Sequence, residues 1–358
     1  MTACGLSLLA ATASAEVLMP VDTWSDSAVE ACEEVPHDRR DACLREAEAR
    51  ERTREADGRK VERAYLRPLV EHLAASSDPR MLAIAANLWP STNGKTIRTR
   101  LRRLREQAFE RGGHDPVVAI LLQAYVPTEI TGRSGNPVAE PAMKRWRDSE
   151  PGNLVPAMSS GEPIETILAR AETFDSFSLH QSDILFVADA AFAAYPPDNR
   201  QRLLLRKLDL DPEELSAGNA LVWSVQATPS ISPLINACKG EARHVTPTRN
   251  LECRQLGRVM SARSDSLIGE MFGAALLRFD DTPEVRAEGD VMRHRLRWQS
   301  GAMMEVGGWD EGGCTPAKMR ATPGMGEGDA IRACLTDAGI PLEPPTDWNP
   351  DASQAGTH

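Results

Sequence analysis

Six of the seven cysteines lie close to one another in pairs along the chain: Cys32 with Cys43, Cys238 with Cys253, and Cys314 with Cys334. Thiols so spaced either bridge in an oxidising compartment or hold a metal. A zinc site asks for CxxC or HxxxH spacing, and neither occurs, so the six read as a disulfide framework. Other connectivities are open to six cysteines; the local ones are the expectation, each loop contributing about 3 kcal/mol by its closure entropy.

Little else has the spacing of chemistry. Of seven scattered histidines, His180 near Asp183 and His244 near Arg243 are placed for acid–base work; an ordinary surface or hydrogen-bonded core histidine is the plainer reading. Asn93-Gly94-Lys95-Thr96 ends like a phosphate loop, but Trp89 stands where such a loop needs glycine. Gly324-Met325-Gly326-Glu327-Gly328 lacks the dinucleotide-loop spacing. No GxSxG, HExxH or calcium-loop pattern occurs, so no catalytic residue, metal or cofactor is assigned. The run Lys95–Arg111 is strongly basic, and Arg98, Arg102 and Arg105 are its candidates for holding an anionic partner. A solvated helix face over a stripe of Ile97, Leu101, Leu104 and Ala108 explains the same residues.

These residues must be positioned by helices. Aromatics make up 5% of the chain while Ala, Leu, Arg and Glu abound, a composition that favours helix over sheet. The formal charge of −11 argues against a general nucleic-acid binder. Residues 4–15, CGLSLLAATASA, are an apolar run ending in Ala13-Ser14-Ala15, a cleavage pattern for an exported chain. Residues 1–15 are therefore expected to be a signal peptide, which removes Cys4 and leaves an even cysteine count. No run is long enough to cross a bilayer.

Residues 16–77 interleave Glu and Arg, with Glu46–Arg50, Glu48–Arg52 and Glu55–Arg59 in the favourable i, i+4 order. Pro36-His37 should turn a hairpin closed by Cys32 and Cys43. From Asp78 a start signal recurs, a polar residue before proline, at Asp78-Pro79, Asp115-Pro116, Glu150-Pro151, Asp211-Pro212, Ser232-Pro233, Thr246-Pro247 and Thr282-Pro283. Asp211 to Glu214 has capping-box spacing. The periodicity predicts helices over 96–111, 138–148, 164–177, 184–194, 202–208 and 213–225, with a long one after Thr282. An apolar stripe of Leu256, Val259, Met260, Leu267, Ile268, Met271, Phe272, Ala275 and Leu276 follows the Cys238–Cys253 loop. In the Gly- and Pro-rich end only 329–338 reads as helical, with disorder expected beyond Pro341. Met303 and Met304 are gap fillers or a soft contact surface.

The first three proline signals recur about every 35 residues, each opening an apolar helix followed by a more charged one. With Ala142-Met143-Lys144-Arg145-Trp146 leading into Asp148-Ser149-Glu150-Pro151-Gly152-Asn153, residues 78–194 resemble tetratricopeptide-like repeats. The resemblance implies an all-α, right-handed helical-hairpin (TPR-like) α-solenoid, here disulfide-stapled, whose concave face binds proteins or peptides. The organisation that follows is a charged helical hairpin at 16–77, repeats at 78–225, a helical bundle at 226–306 and a loose tail at 307–358. The expected function is an exported, periplasmic or secreted, non-catalytic protein that binds a protein or peptide partner in the cell envelope. A glycan hydrolase with groove carboxylates and an inhibitor or immunity protein against a secreted toxin are the alternatives.

Overall fold

A computed structural model describes residues 32, 35–88, 95–123, 136–208, 210, 212–305 and 314–349. The side chains of Glu48, Glu55, Arg98 and Glu214 lie outside that description, as do the expected signal peptide, Trp89, the Asp211 cap and the last residues. The described elements are helical; the extended pairings among them are two isolated parallel bridges, Asn153 with Ser176 and Phe177 with Ser264.

The chain enters helix α1 at His37–Val61, a stretch polar all round in which Arg50 reaches Glu46 at 2.6 Å. A π-helical turn at Glu62–Leu66 rotates the phase, and α2 at Arg67–Ala74 then buries Leu69, Val70 and Leu73. Asp78 caps α3, Pro79–Asn87, by accepting from Arg80 N–H at 2.9 Å. Asp115 does the same for α5, Pro116–Gln123, through Val117 N–H at 2.9 Å. Between them runs α4, Lys95–Gly112. In both caps the carboxylate satisfies an orphan donor and proline fills a position whose N–H has no partner.

The third signal misleads. Glu150 ends α6, Ala139–Ser149, and the next helix, α7 at Leu154–Ser159, is capped by Asn153. The Glu150 carboxylate is engaged elsewhere, by Trp146 and Asn153. The helix expected over 164–177 is also shorter. After α8, Ile164–Ala169, and a 3-10 turn at Ala171–Thr173, the chain runs extended and buries Phe174, Phe177 and Leu179. The backbone there bonds outward instead, Leu154 N–H to Ser176 O and Phe177 N–H to Arg263 O.

Helices α9 (Gln181–Ala194), α10 (Asn199–Arg206), α11 (Pro212–Ala227) and α12 (Ser232–Ala237) follow. Beyond a 3-10 turn at Gly240–His244, the expected continuous stripe divides into α13, Arg249–Ala262, and α14, Leu267–Arg278. Ser266 caps the second through Gly269 N–H, and the break resets the helical phase. Leu256, Val259 and Met260 are therefore buried, whereas Ile268 and Met271 face solvent. Helix α15 spans Pro283–Glu305, burying Met303 and exposing Met304. The tail is more ordered than its composition suggests: α16 covers Cys314–Ala321 and α17 Glu327–Asp337. Past Pro341, Trp348 packs on His294 and Trp298, and Trp298 Nε1–H donates to Pro341 O at 2.7 Å.

All six cysteines pair locally, Cys32–Cys43, Cys238–Cys253 and Cys314–Cys334. Beside the second bridge Arg243, 1% exposed, donates to Cys238 O, Leu276 O and Asp280, joining the cysteine loop to α14. The main core draws on residues from Val61 to Ala330, and a second, smaller cluster gathers Ala302, Met303, Ile331, Cys334 and Leu335. Distant parts close on it, Gln201 Nε2 on Ala64 O at 2.7 Å and Gly324 N–H on Ser182 Oγ at 3.2 Å.

Candidate functional site

Helix α4 does not present its three candidate arginines on one face. Arg102 is exposed and 3.8 Å from Glu106, while the Arg98 side chain lies outside the described residues. Arg105 points inward and is 4% exposed, which corrects its placement on a solvated basic face. It sits one turn beyond Leu101 and beside Leu104, both buried, so helical phase alone carries it into the core. Its Nη2 reaches Asn87 Oδ1 at 3.5 Å and its Nε has no partner, and burial lowers its pKa to about 10.

The histidines separate cleanly. His244 is exposed, 3.6 Å from Asp281, and does not meet the buried Arg243. His180 is a hub. Its backbone is left-handed, φ 51°, a conformation that costs an L-residue about 1 kcal/mol or more. The ring lies between two carboxylates, Nδ1 at 3.0 Å from Asp183 and Nε2 at 3.1 Å from Glu150, with Trp146 packed at 5.9 Å. Glu150 also accepts from Trp146 Nε1–H and Asn153 Nδ2–H. Behind it Asp265 accepts from Ser178 Oγ–H at 2.7 Å and Leu179 N–H at 2.8 Å.

Burial alone would discharge the imidazolium, but hydrogen bonds to Asp183 and Glu150 and the pull of Glu150 and Asp265 overcome it, raising the pKa to about 9. Burial likewise opposes ionisation of Glu150, and bonds from His180, Asn153 and Trp146 reverse that, lowering it to about 2. Asp183 is lowered chiefly by its bond to His180. The ring is thus cationic at neutral pH with both nitrogens bonded, a clamp joining α6 to α9 with no nitrogen free for a substrate. Burial raises Asp265 against its hydrogen bonds, and raises Glu327, whose carboxylate accepts from Leu267 N–H and feels the charge of Asp265.

A feature with room for a ligand is a groove of about 710 Å³ between α9, α10, the start of α11 and α16. Its floor is apolar, from Phe192, Pro197, Leu205 and Leu210. In its lining Asp189 is held by Arg320 through two bonds, 2.7 and 3.0 Å, and by Ser216 Oγ–H. The exposed Arg202 and Arg206 also line it, Arg202 donating from Nε to Pro197 O at 2.9 Å. The volume is typical of ligand sites, and mixed apolar floor with few polar groups is their usual chemistry. A second cavity, about 40 Å³, is lined by Glu327, Gln181 and Met319; it has space for a water or so.

None of this was marked by local spacing. Asp189 and Arg320 stand 131 positions apart, Glu150 and His180 thirty, and the only sequence cue was the pairing of His180 with Asp183. Among the described residues no cluster of metal-ligating side chains forms, and no helix is long and apolar enough to cross a membrane. No protein-family model, no curated protein and no solved structure matches the chain.

Proposed function

We propose that the chain is an exported, non-catalytic helical-repeat protein of the cell envelope that binds a protein or peptide partner. The groove over Phe192 and Leu205 carries this reading, because it is a concavity large enough for a side-chain-bearing ligand. Three buried or half-buried disulfides fit an oxidising, non-cytoplasmic compartment, and removal of residues 1–15 on the way to the periplasm or beyond accords with them.

Repeat packing supports the helical-hairpin architecture between Ser76 and Arg145. Arg80 bonds Asp115, Asn87 bonds Leu121 O, Arg111 bonds Ser76 O and Arg145 bonds Phe109 O, at sequence separations of 35, 34, 35 and 36. Such bonds link equivalent places in successive units of a stacked array. Against the hydrolase alternative, the described carboxylate lining the groove, Asp189, is bound by Arg320, and the cavity at Glu327 is too small for a sugar, which favours the binding reading.

Photocrosslinking in intact cells of the native host tests the proposal. A photoreactive residue at Ala193 or Arg206, both exposed in the groove lining, should give a discrete adduct, and one at Val291, exposed on α15, should not. Absence of any adduct from the groove positions overturns it.

A further inference from the structure

We infer that the occupant of this groove is an acidic peptide segment carrying apolar side chains, a deepening that rests on the partner-binding function proposed above. The argument is one of charge contrast. The whole chain has a formal charge of −11, yet Asn199–Lys207, which forms α10 and its C-cap, contains Arg200, Arg202, Arg206 and Lys207 and no acid. Two of these, Arg202 and Arg206, are at the groove rim. Arg206 makes no ion pair among the described residues, and Arg202 uses only its Nε, on a backbone carbonyl, so its outer guanidinium nitrogens stay available. The described carboxylate in the groove, Asp189, is already neutralised by Arg320. Arg202 and Arg206, with no ion pair among the described residues beside an apolar trough, are complementary to carboxylates flanked by Leu, Ile or Phe.

The trough also favours a chain over a flat anionic surface. Its floor residues Phe192 and Leu205 are buried below the rim, where a peptide side chain can enter. The basic partner suited to an immunity protein would be repelled here.

Selection of a random-peptide phage library on the oxidised full chain, followed by affinity measurement of the enriched peptides, tests the inference. The expected peptides combine Asp or Glu with apolar residues, bind more weakly at high salt, and lose tenfold or more of their affinity on Arg206→Glu, with Arg202→Glu as a second variant. Both arginines are exposed, so the thermal midpoint of each variant is checked to be that of the parent. Replacing the peptide acids by Lys should restore binding to Arg206→Glu. Enrichment of neutral or basic peptides, or of acidic ones indifferent to both variants, overturns the acidic occupant and leaves partner binding standing. If no peptide enriches and vesicles of anionic phospholipid bind through the same arginines, the groove is a lipid site and both readings fall. If neither binds, both fall as well.

Discussion

At the scale of single residues, Arg105 and His180 show opposite solutions to burying a cation. His180 is bracketed by two carboxylates, and Arg105 has an amide at 3.5 Å and an orphaned Nε. Arginine cannot shed its proton as a buried lysine does, so it bears its desolvation cost in full. Arg105→Met, similar in length and apolar, is expected to raise unfolding stability by about 1 kcal/mol or more in chemical denaturation. An equal or lower stability would mean that the guanidinium has a partner. His180 predicts a pH profile. Its folded pKa is raised to about 9 from 6.5, so its stabilisation is complete below pH 6.5 and is lost as pH climbs through 9. Glu150, lowered to about 2 from 4.5, contributes above pH 4.5 and is lost as pH falls toward 2. The clamp therefore contributes most between pH 4.5 and 6.5. His180→Gln should cost about 2 kcal/mol there and flatten the decline between pH 6.5 and 9; an unchanged alkaline slope by denaturant titration at several pH values would refute the clamp. The phase that buries Arg105 was legible in the stripe Leu101, Leu104, Ala108, because position 105 lies on that stripe. The Glu150 contact was not, since it depends on thirty intervening residues folding first.

At the scale of elements, packing distance sorts two helical glycines. A Cβ on Gly273 would fall 2.7 Å from Gly257 O and against Ser261 N, so α13 and α14 approach backbone to backbone there. A Cβ on Gly218 in α11 would meet nothing within 4 Å. Gly218→Ala should stabilise by about 0.5–1 kcal/mol through helix propensity alone. Gly273→Ala should instead destabilise by about 2 kcal/mol or more, since backbone cannot yield as a flexible side chain does. Thermal melts of the two variants that shift in the same direction would contradict this pairing. Helix starts at Asp78 and Asp115 could be read directly because a cap and its proline are local chemistry. The start assigned to Glu150 and the join of α13 to α14 could not, because what decided them was a tryptophan, an asparagine and a serine whose side chains had other partners to reach.

At the scale of the whole molecule, the disulfides and the long-range ion pairs divide the labour. Each disulfide stiffens one segment, while Arg320–Asp189 and Arg332–Glu270 tie the C-terminal helices α16 and α17 to α9 and α14. Replacing Cys314 and Cys334 together by Ser opens a loop of 20 positions and should cost about 3 kcal/mol. Hydrogen exchange should quicken first in α16, and with it at the Arg320 edge of the groove; exchange unchanged in α16 would show that the ion pairs suffice. The three pairs were readable from spacing because each is closed within its own segment, and the groove was not because four separate helices build it.

The order of those bridges along the chain has a kinetic meaning. On the export proposed above, a polypeptide threading N-terminus first into an oxidising space presents Cys32 and Cys43 long before Cys238, and Cys253 before Cys314. Each thiol so meets its native partner as its nearest newly arrived neighbour, and oxidation in order of emergence yields the native connectivity without reshuffling. Maturation of this protein should then be indifferent to loss of a disulfide isomerase while depending on the oxidant that makes the bonds.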